Sequence, residues 1–238
     1  MTGRRRFLLG ALAAPLALAQ TKLPAGIAPG SITYEDVPYP YPVKFLPLTV
    51  YGQDVRLAYM DIPPAGAANG RTVVLLHGMN FGGFYFKLPI EALRNAGFRV
   101  VVPDQIGFGR SSKPVIPYNL HDMALNTWTL LQALRIPKAL IFGHSMGGML
   151  AARFAASYPA VTERVVLCNP IGLTDTRWVQ PWRSTQDAWR ALANRTPDEA
   201  WQASLATIQR YFPNAWKPEY EEFVRILYAP TLSSESRR

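Results

Sequence analysis

The sequence is poor in the residues that most often advertise chemistry. It holds one cysteine, Cys168, in 238 residues, which excludes an intrachain disulfide. That residue closes the apolar run "RVVLC", where a buried, unreactive thiol is expected. There are three histidines, His77, His121 and His144, and none lies beyond position 144. Charge is sparse too: charged residues make up 17% of the chain. The formal charge is +9, yet three of the arginines stand together at Arg4, Arg5 and Arg6, and the other basic residues are scattered among acids. With no basic block and no nucleic-acid motif, a solvated basic surface is expected and nucleic-acid binding is not. No internal repeat is present, and the polar tail "SSESRR" is the one biased tract.

Long apolar runs are missing as well. The stretch Phe7–Leu18 is broken by Pro15 and falls short of the ~20 residues that a membrane-spanning helix needs. Preceded by the arginines and followed by the small-x-small site Ala17-Leu18-Ala19, it reads as a bacterial export leader cut before Gln20. The order Arg4-Arg5-x-Phe7-Leu8 resembles the twin-arginine export motif, with Gly3 where Ser or Thr is more usual. A periplasmic or extracellular location, with no stable membrane span after cleavage, is the resulting expectation.

What the sequence does have is alternation of element types. Residues 20–42 are rich in Pro and Gly, which suits an extended lead-in laid over a domain. "VKFLPLTV" and "VRLAYMDI" alternate well enough for a hairpin around "YGQD". Then come "TVVLL", "RVVVP", "ALIFG" and "RVVLC", each the length of a strand buried on both faces. The segments between them have helical spacing, as in Leu120, Met123, Ala124, Trp128, Leu131 and Leu134. Strand–helix–strand alternation predicts α/β architecture, a mostly parallel sheet with helices on both faces. From about Asp175 the texture turns helical, with Thr196 before Pro197 predicting one helix start and Pro218 another. Trp178, Trp182, Trp189, Trp201 and Trp216 fall in this half. They suit either a roof over an apolar pocket or the core of the helical layer itself.

The chemistry-bearing motif is Gly143-His144-Ser145-Met146-Gly147, directly after "KALIFG" and directly before the helical "MLAARFAASY". A serine between close-packed glycines, on a sharp strand-to-helix turn, has its hydroxyl displayed as a nucleophile. His77-Gly78-Met79-Asn80 follows the strand "TVVLL", and Asp104, Gly107, Gly109 and Ser111 form a D-x-x-G-x-G-x-S segment. Together these resemble the α/β-hydrolase fold superfamily, in its serine esterase-like branch of lidded carboxylesterase and proline-iminopeptidase-like members. The resemblance implies Ser145 as nucleophile and the backbone N–H groups of Met79 and Met146 as oxyanion donors. Gly143, His144 and Gly147 would support the elbow, and His77 and Gly78 the oxyanion loop. Asp104 would shape a loop beside the site and is not the catalytic acid. It further implies a small apolar ester-like substrate cleaved through an acyl-enzyme, with no cofactor and no metal. On this reading residues 1–19 are the leader, 20–42 the lead-in, 43–174 a partial core, 175–229 a helical lid and 230–238 the tail.

One part of the family's pattern is missing. Its order is Ser, then an acid, then His, and no histidine follows Ser145. Asp175, Asp187, Asp198 and Glu199 follow it but have no histidine to orient. His77 belongs to the oxyanion loop, His121 opens a helix, and the side chain of His144 leaves the turn in another direction. The expectation is a chain shortened at its C-terminus, with the family's last strands absent and the triad incomplete. "RVVLC" would then be an exposed sheet edge prone to aggregation. Two other readings stay open: a catalytically inactive relative that binds a ligand or partner, and a C–C hydrolase or cofactor-free perhydrolase. Epoxide hydrolases and haloalkane dehalogenases of this fold use aspartate at the elbow, so Ser145 disfavours them.

Overall fold

The computed structural model describes residues 22–175, 181–214 and 216–237. The leader 1–19 and Trp178 lie outside these. Six strands form one sheet: β1 (Val43–Val50), β2 (Gln53–Ile62), β3 (Thr72–Leu76), β4 (Arg99–Pro103), β5 (Ala139–His144) and β6 (Thr162–Cys168). Their order across the sheet is β1-β2-β4-β3-β5-β6. β1 and β2 are the expected hairpin, and β2 also runs antiparallel to β4. The pairings β4 with β3, β3 with β5 and β5 with β6 are parallel.

The parallel strands alternate between two cores, as the two-residue period of a strand requires. Val74, Leu76, Val101 and Ile141 face helices α2 (Leu120–Ala133) and α3 (Met146–Ser157), where Met123, Leu130, Leu131, Leu150 and Phe154 are buried. Val73, Leu75, Val100 and Val102 face the other way, onto Phe86 and onto Ile90 of helix α1 (Lys87–Asn95). Asn119 caps α2 by accepting from the Asp122 amide.

"RVVLC" is a strand, as read, but not one buried on both faces. β3 is buried throughout, but β6 is exposed along Glu163–Leu167. Periodicity registers an apolar run without registering whether a neighbour covers it, and β6 is the last strand of the sheet. Cys168 is correspondingly half-buried, its Sγ 3.6 Å from Asn169 Oδ1, and not a core thiol.

Among the described residues, the chain after β6 is helical: α4 (Thr185–Ala193), α5 (Pro197–Tyr211) and α6 (Glu221–Tyr228). Thr196 and Glu199 form a reciprocal capping box, with Pro197 in the first turn of α5. Pro218 opens only a short 3-10 turn, Pro218–Tyr220, and α6 starts at Glu221. Of the two roles considered for the tryptophans, the core of the helical layer is the one seen, at Trp201. Trp201 is fully buried edge-on to Tyr228 and fills the helical layer, whereas Trp182 is 85% exposed and Trp189 55%.

That helical core extends beyond the helices. Val37 of the lead-in, and Phe81 and Phe84 from the loop after β3, are buried with Trp201, Leu205, Ile208 and Val224. Arg110 fastens the lead-in to the sheet by donating to the carbonyls of Tyr34 and Val37, with its guanidinium 4.4 Å from the Tyr39 ring centroid. The Gly30 amide donates to the Ala229 carbonyl.

Candidate active site

β3 and β5 are parallel neighbours with Leu76 opposite Gly143. The segments leaving them, at His77 and Ser145, therefore emerge side by side at one end of the sheet. Ser145 takes φ 56° and ψ −118°, a strained backbone for any residue other than glycine. Surrounding contacts hold it there. Its N–H donates to Cys168 O at 3.1 Å, and its carbonyl accepts from Gly148 N at 2.9 Å and Ile171 N at 3.3 Å. Methyl groups built on Gly143 and Gly147 would overlap the Gly147 and Leu76 carbonyls, so the crossing of β5 and α3 admits only hydrogen at both positions.

Gly78 lies against this turn. A Cβ placed on it would stand 3.3 Å from both Ser145 Cβ and His144 Nδ1. The loop that begins at His77 is thus in contact with the serine. Met146 opens α3, where an amide has no acceptor within its own helix and the helix dipole favours negative charge. Met79 follows Gly78 and is 51% exposed. Asn80 has φ 68°, which turns the chain sharply after Met79.

The histidines are committed elsewhere. His77 is fully buried: Nε2 accepts from the Gln105 amide at 2.9 Å, and Nδ1 lies 2.8 Å from Gly78 O. A carbonyl can only accept, so Nδ1 carries the proton and the ring is neutral. Burial pushes its pKa below the usual histidine value, which agrees. His77 therefore braces the Gly78 and Gln105 backbones and has no lone pair to spare. His144 points at Tyr85, whose hydroxyl is 3.0 Å from Nδ1, and burial lowers its pKa as well. His121 is exposed on the first turn of α2. Among the described residues, no side chain hydrogen-bonds to the Ser145 hydroxyl.

The acids divide in the same way. Asp104 accepts from Gly83 N on one oxygen, and from Tyr39 OH and Arg110 N on the other. It shapes the loops around it, as the sequence pattern implied. Asp187 and Glu199 serve the N-termini of α4 and α5. Two concavities, of about 590 and 350 Å³, lie elsewhere: one beside the β1–β2 hairpin and the other between α3 and residues 167–173. Tyr85 is the residue at this site that the motifs did not mark. It sits in a 3-10 turn, Gly83–Phe86, and no sequence pattern sets it apart from its aromatic neighbours.

The alpha/beta hydrolase fold family matches residues 71–211. A haloalkane dehalogenase from Mycolicibacterium paratuberculosis is 32% identical over 164 residues, which is 67% of this chain and 52% of that one. A solved structure described as a "probable hydrolytic enzyme" from Pseudomonas aeruginosa PAO1 superposes with TM-score 0.81 at 38% identity, covering 89% of this chain and 68% of its own. A thermophilic esterase from Thermogutta terrifontis follows at TM-score 0.60 and 27% identity, covering 79% and 68%. The chain spans about half the length of the curated relatives it matches.

Proposed function

Because this chain belongs to the alpha/beta hydrolase fold family, we propose that it is a serine hydrolase that opens a carboxylic ester or related acyl bond. The observation that carries the reading is Ser145, held at φ 56° at the start of α3 with Gly78 packed against it. In the proposed reaction Ser145 Oγ attacks the acyl carbon and its proton passes to a base. The carbonyl oxygen becomes an oxyanion facing the Met79 and Met146 amides. Collapse expels the alcohol, which takes the proton, and water then hydrolyses the acyl-enzyme. Both ring nitrogens of His77 are engaged, and His144 turns Nδ1 to Tyr85 and makes no hydrogen bond to Ser145. The complete reaction needs a base other than these two.

The dehalogenase likeness points to hydrolytic chemistry of another kind, but Ser145 stands where such enzymes are expected to carry aspartate. A second reading, a ligand-binding relative without turnover, is favoured by the absence of a partner for the Ser145 hydroxyl among the described residues. A fluorophosphonate probe separates the two. Labelling of the wild type but not of Ser145→Ala supports an activated serine; an unlabelled wild type that still binds small esters supports the binding protein. We also propose export through the twin-arginine-like leader, on the strength of residues 1–19.

A further inference from the structure

We propose that Tyr85 is a positioning residue, a hydroxyl bridge that sets the oxyanion loop against the nucleophile elbow and fixes the tautomer of His144. The inference rests on the hydrolase reading for its consequence in catalysis, but the bridge stands on geometry alone.

Tyr85 Oη makes two contacts, one to each side of the site. It accepts from the Gly78 amide at 2.8 Å, on the loop that carries Met79. It also lies 3.0 Å from Nδ1 of His144, the residue just before Ser145. An amide N–H can only donate, so the contact to Gly78 occupies a lone pair of the phenolic oxygen. The hydroxyl has one proton, and it needs an acceptor because Tyr85 is largely buried and a phenol proton without a partner there is unfavourable. His144 Nδ1 is the acceptor within reach. The proton of the neutral imidazole is then on Nε2.

The ring is held in place as firmly as the hydroxyl. Phe81 and Phe84 meet Tyr85 edge-on, with centroids 5.4 and 6.1 Å away, and Phe86 lies at 4.3 Å. The His144 ring meets it at 5.7 Å and 72°. Tyr85 therefore has little freedom to follow either partner, and both are registered to it. Burial raises the phenol's pKa, with Cys168 and Tyr211 close enough to raise it further, so it remains a donor across the physiological range. The two amides that would hold the oxyanion come from residues adjoining this bridge: Met79 follows Gly78, and Met146 follows Ser145. Losing the bridge removes the hydrogen-bonded link between the two segments while leaving both amides in the chain.

The test uses the full chain in two parts. Two-bond proton–nitrogen NMR of the imidazoles, run at about pH 8 where an ordinary histidine is neutral, reads the tautomer directly. The expected result is a protonated Nε2 and an unprotonated Nδ1 for His144; a proton on Nδ1 overturns the proposal. In Tyr85→Phe, the His144 tautomer should shift toward a mixture and the Gly78 amide should exchange about tenfold faster. A folded variant with both unchanged refutes the bridge, and if the variant does not fold the wild-type tautomer decides alone. Where Ser145 takes a fluorophosphonate, Tyr85→Phe should slow labelling about tenfold, and wild-type rates in the variant would remove its part in catalysis. A wild type that takes no label sinks the hydrolase reading and leaves the tautomer result standing.

Discussion

Gly147 lies so close to Leu76 that the α3 backbone has no room for a single carbon between them. The contact brings α3 against the end of β3, which is what sets Ser145 beside the loop from His77. Gly147→Ala should therefore destabilise the fold by about 1–3 kcal/mol, the usual cost of overpacking a closed site. It should also displace the elbow. Urea denaturation reads the first effect and loss of fluorophosphonate labelling in the folded fraction the second. An alanine variant with wild-type stability would show that the approach is looser than it is here.

Asp61 on β2 receives both arms of the Arg99 guanidinium, at 2.8 and 3.0 Å, across the antiparallel β2–β4 pair. Burial pushes the Asp61 carboxyl up, but hydrogen bonds and charge from Arg99, with help from Lys44, hold it below its ordinary value. A carboxylate depressed on folding stabilises above its unfolded pKa of about 3.9 and loses that contribution as pH falls through the folded value. Because the pair is partly exposed, its worth is about 1 kcal/mol. Stability measured by denaturation should therefore decline below about pH 4, and Asp61→Asn should flatten that part of the profile. An unchanged acid limb in the variant would place the acid sensitivity elsewhere.

β6 carries exposed Val165, Val166 and Leu167 at the end of the sheet. An apolar edge with unpaired backbone groups invites pairing with another chain. Residues 1–238 expressed by themselves should self-associate on light scattering as their concentration rises, and Val166→Lys should suppress this without lowering thermal stability by more than about 1 kcal/mol. Monodisperse wild type at high concentration would contradict the prediction.

The leader supplies a fourth expectation. Expressed in a bacterium with an intact twin-arginine system, the exported protein should begin at Gln20, as N-terminal sequencing would read. Replacing Arg4 and Arg5 by lysine should leave the precursor in the cytoplasm. Export that survives this replacement would refer the leader to the general secretory route.

All six strands were legible as runs, but burial was legible only where it is set by the run itself. "TVVLL" and "RVVVP" are covered on both faces, so continuous apolar character was sufficient. "RVVLC" has the same character and a different environment, because an edge is created by what lies beside a strand and not by its own residues. The elbow was legible for a related reason. Gly143 is forced by Gly147 four residues on, and Gly147 by Leu76 across the β3–β5 contact; both demands fall inside one short turn, and that leaves a motif. Tyr85 left none, since its role depends on three segments that the β3–β5 pairing brings together. The tryptophans show the same limit: spacing marked them as a group, but only packing separates buried Trp201 from exposed Trp182.

The bond from Gly30 to Ala229 has a kinetic meaning. It joins two segments far apart in the sequence, and a Cβ on Gly30 would stand 2.9 Å from that of Ala229, so the two backbones meet with nothing to spare. A ribosome releases these two residues far apart in time, with all six strands made between them. The lead-in consequently cannot make this contact before the Ala229 segment exists, and its closure, at high contact order, belongs to a late phase of folding.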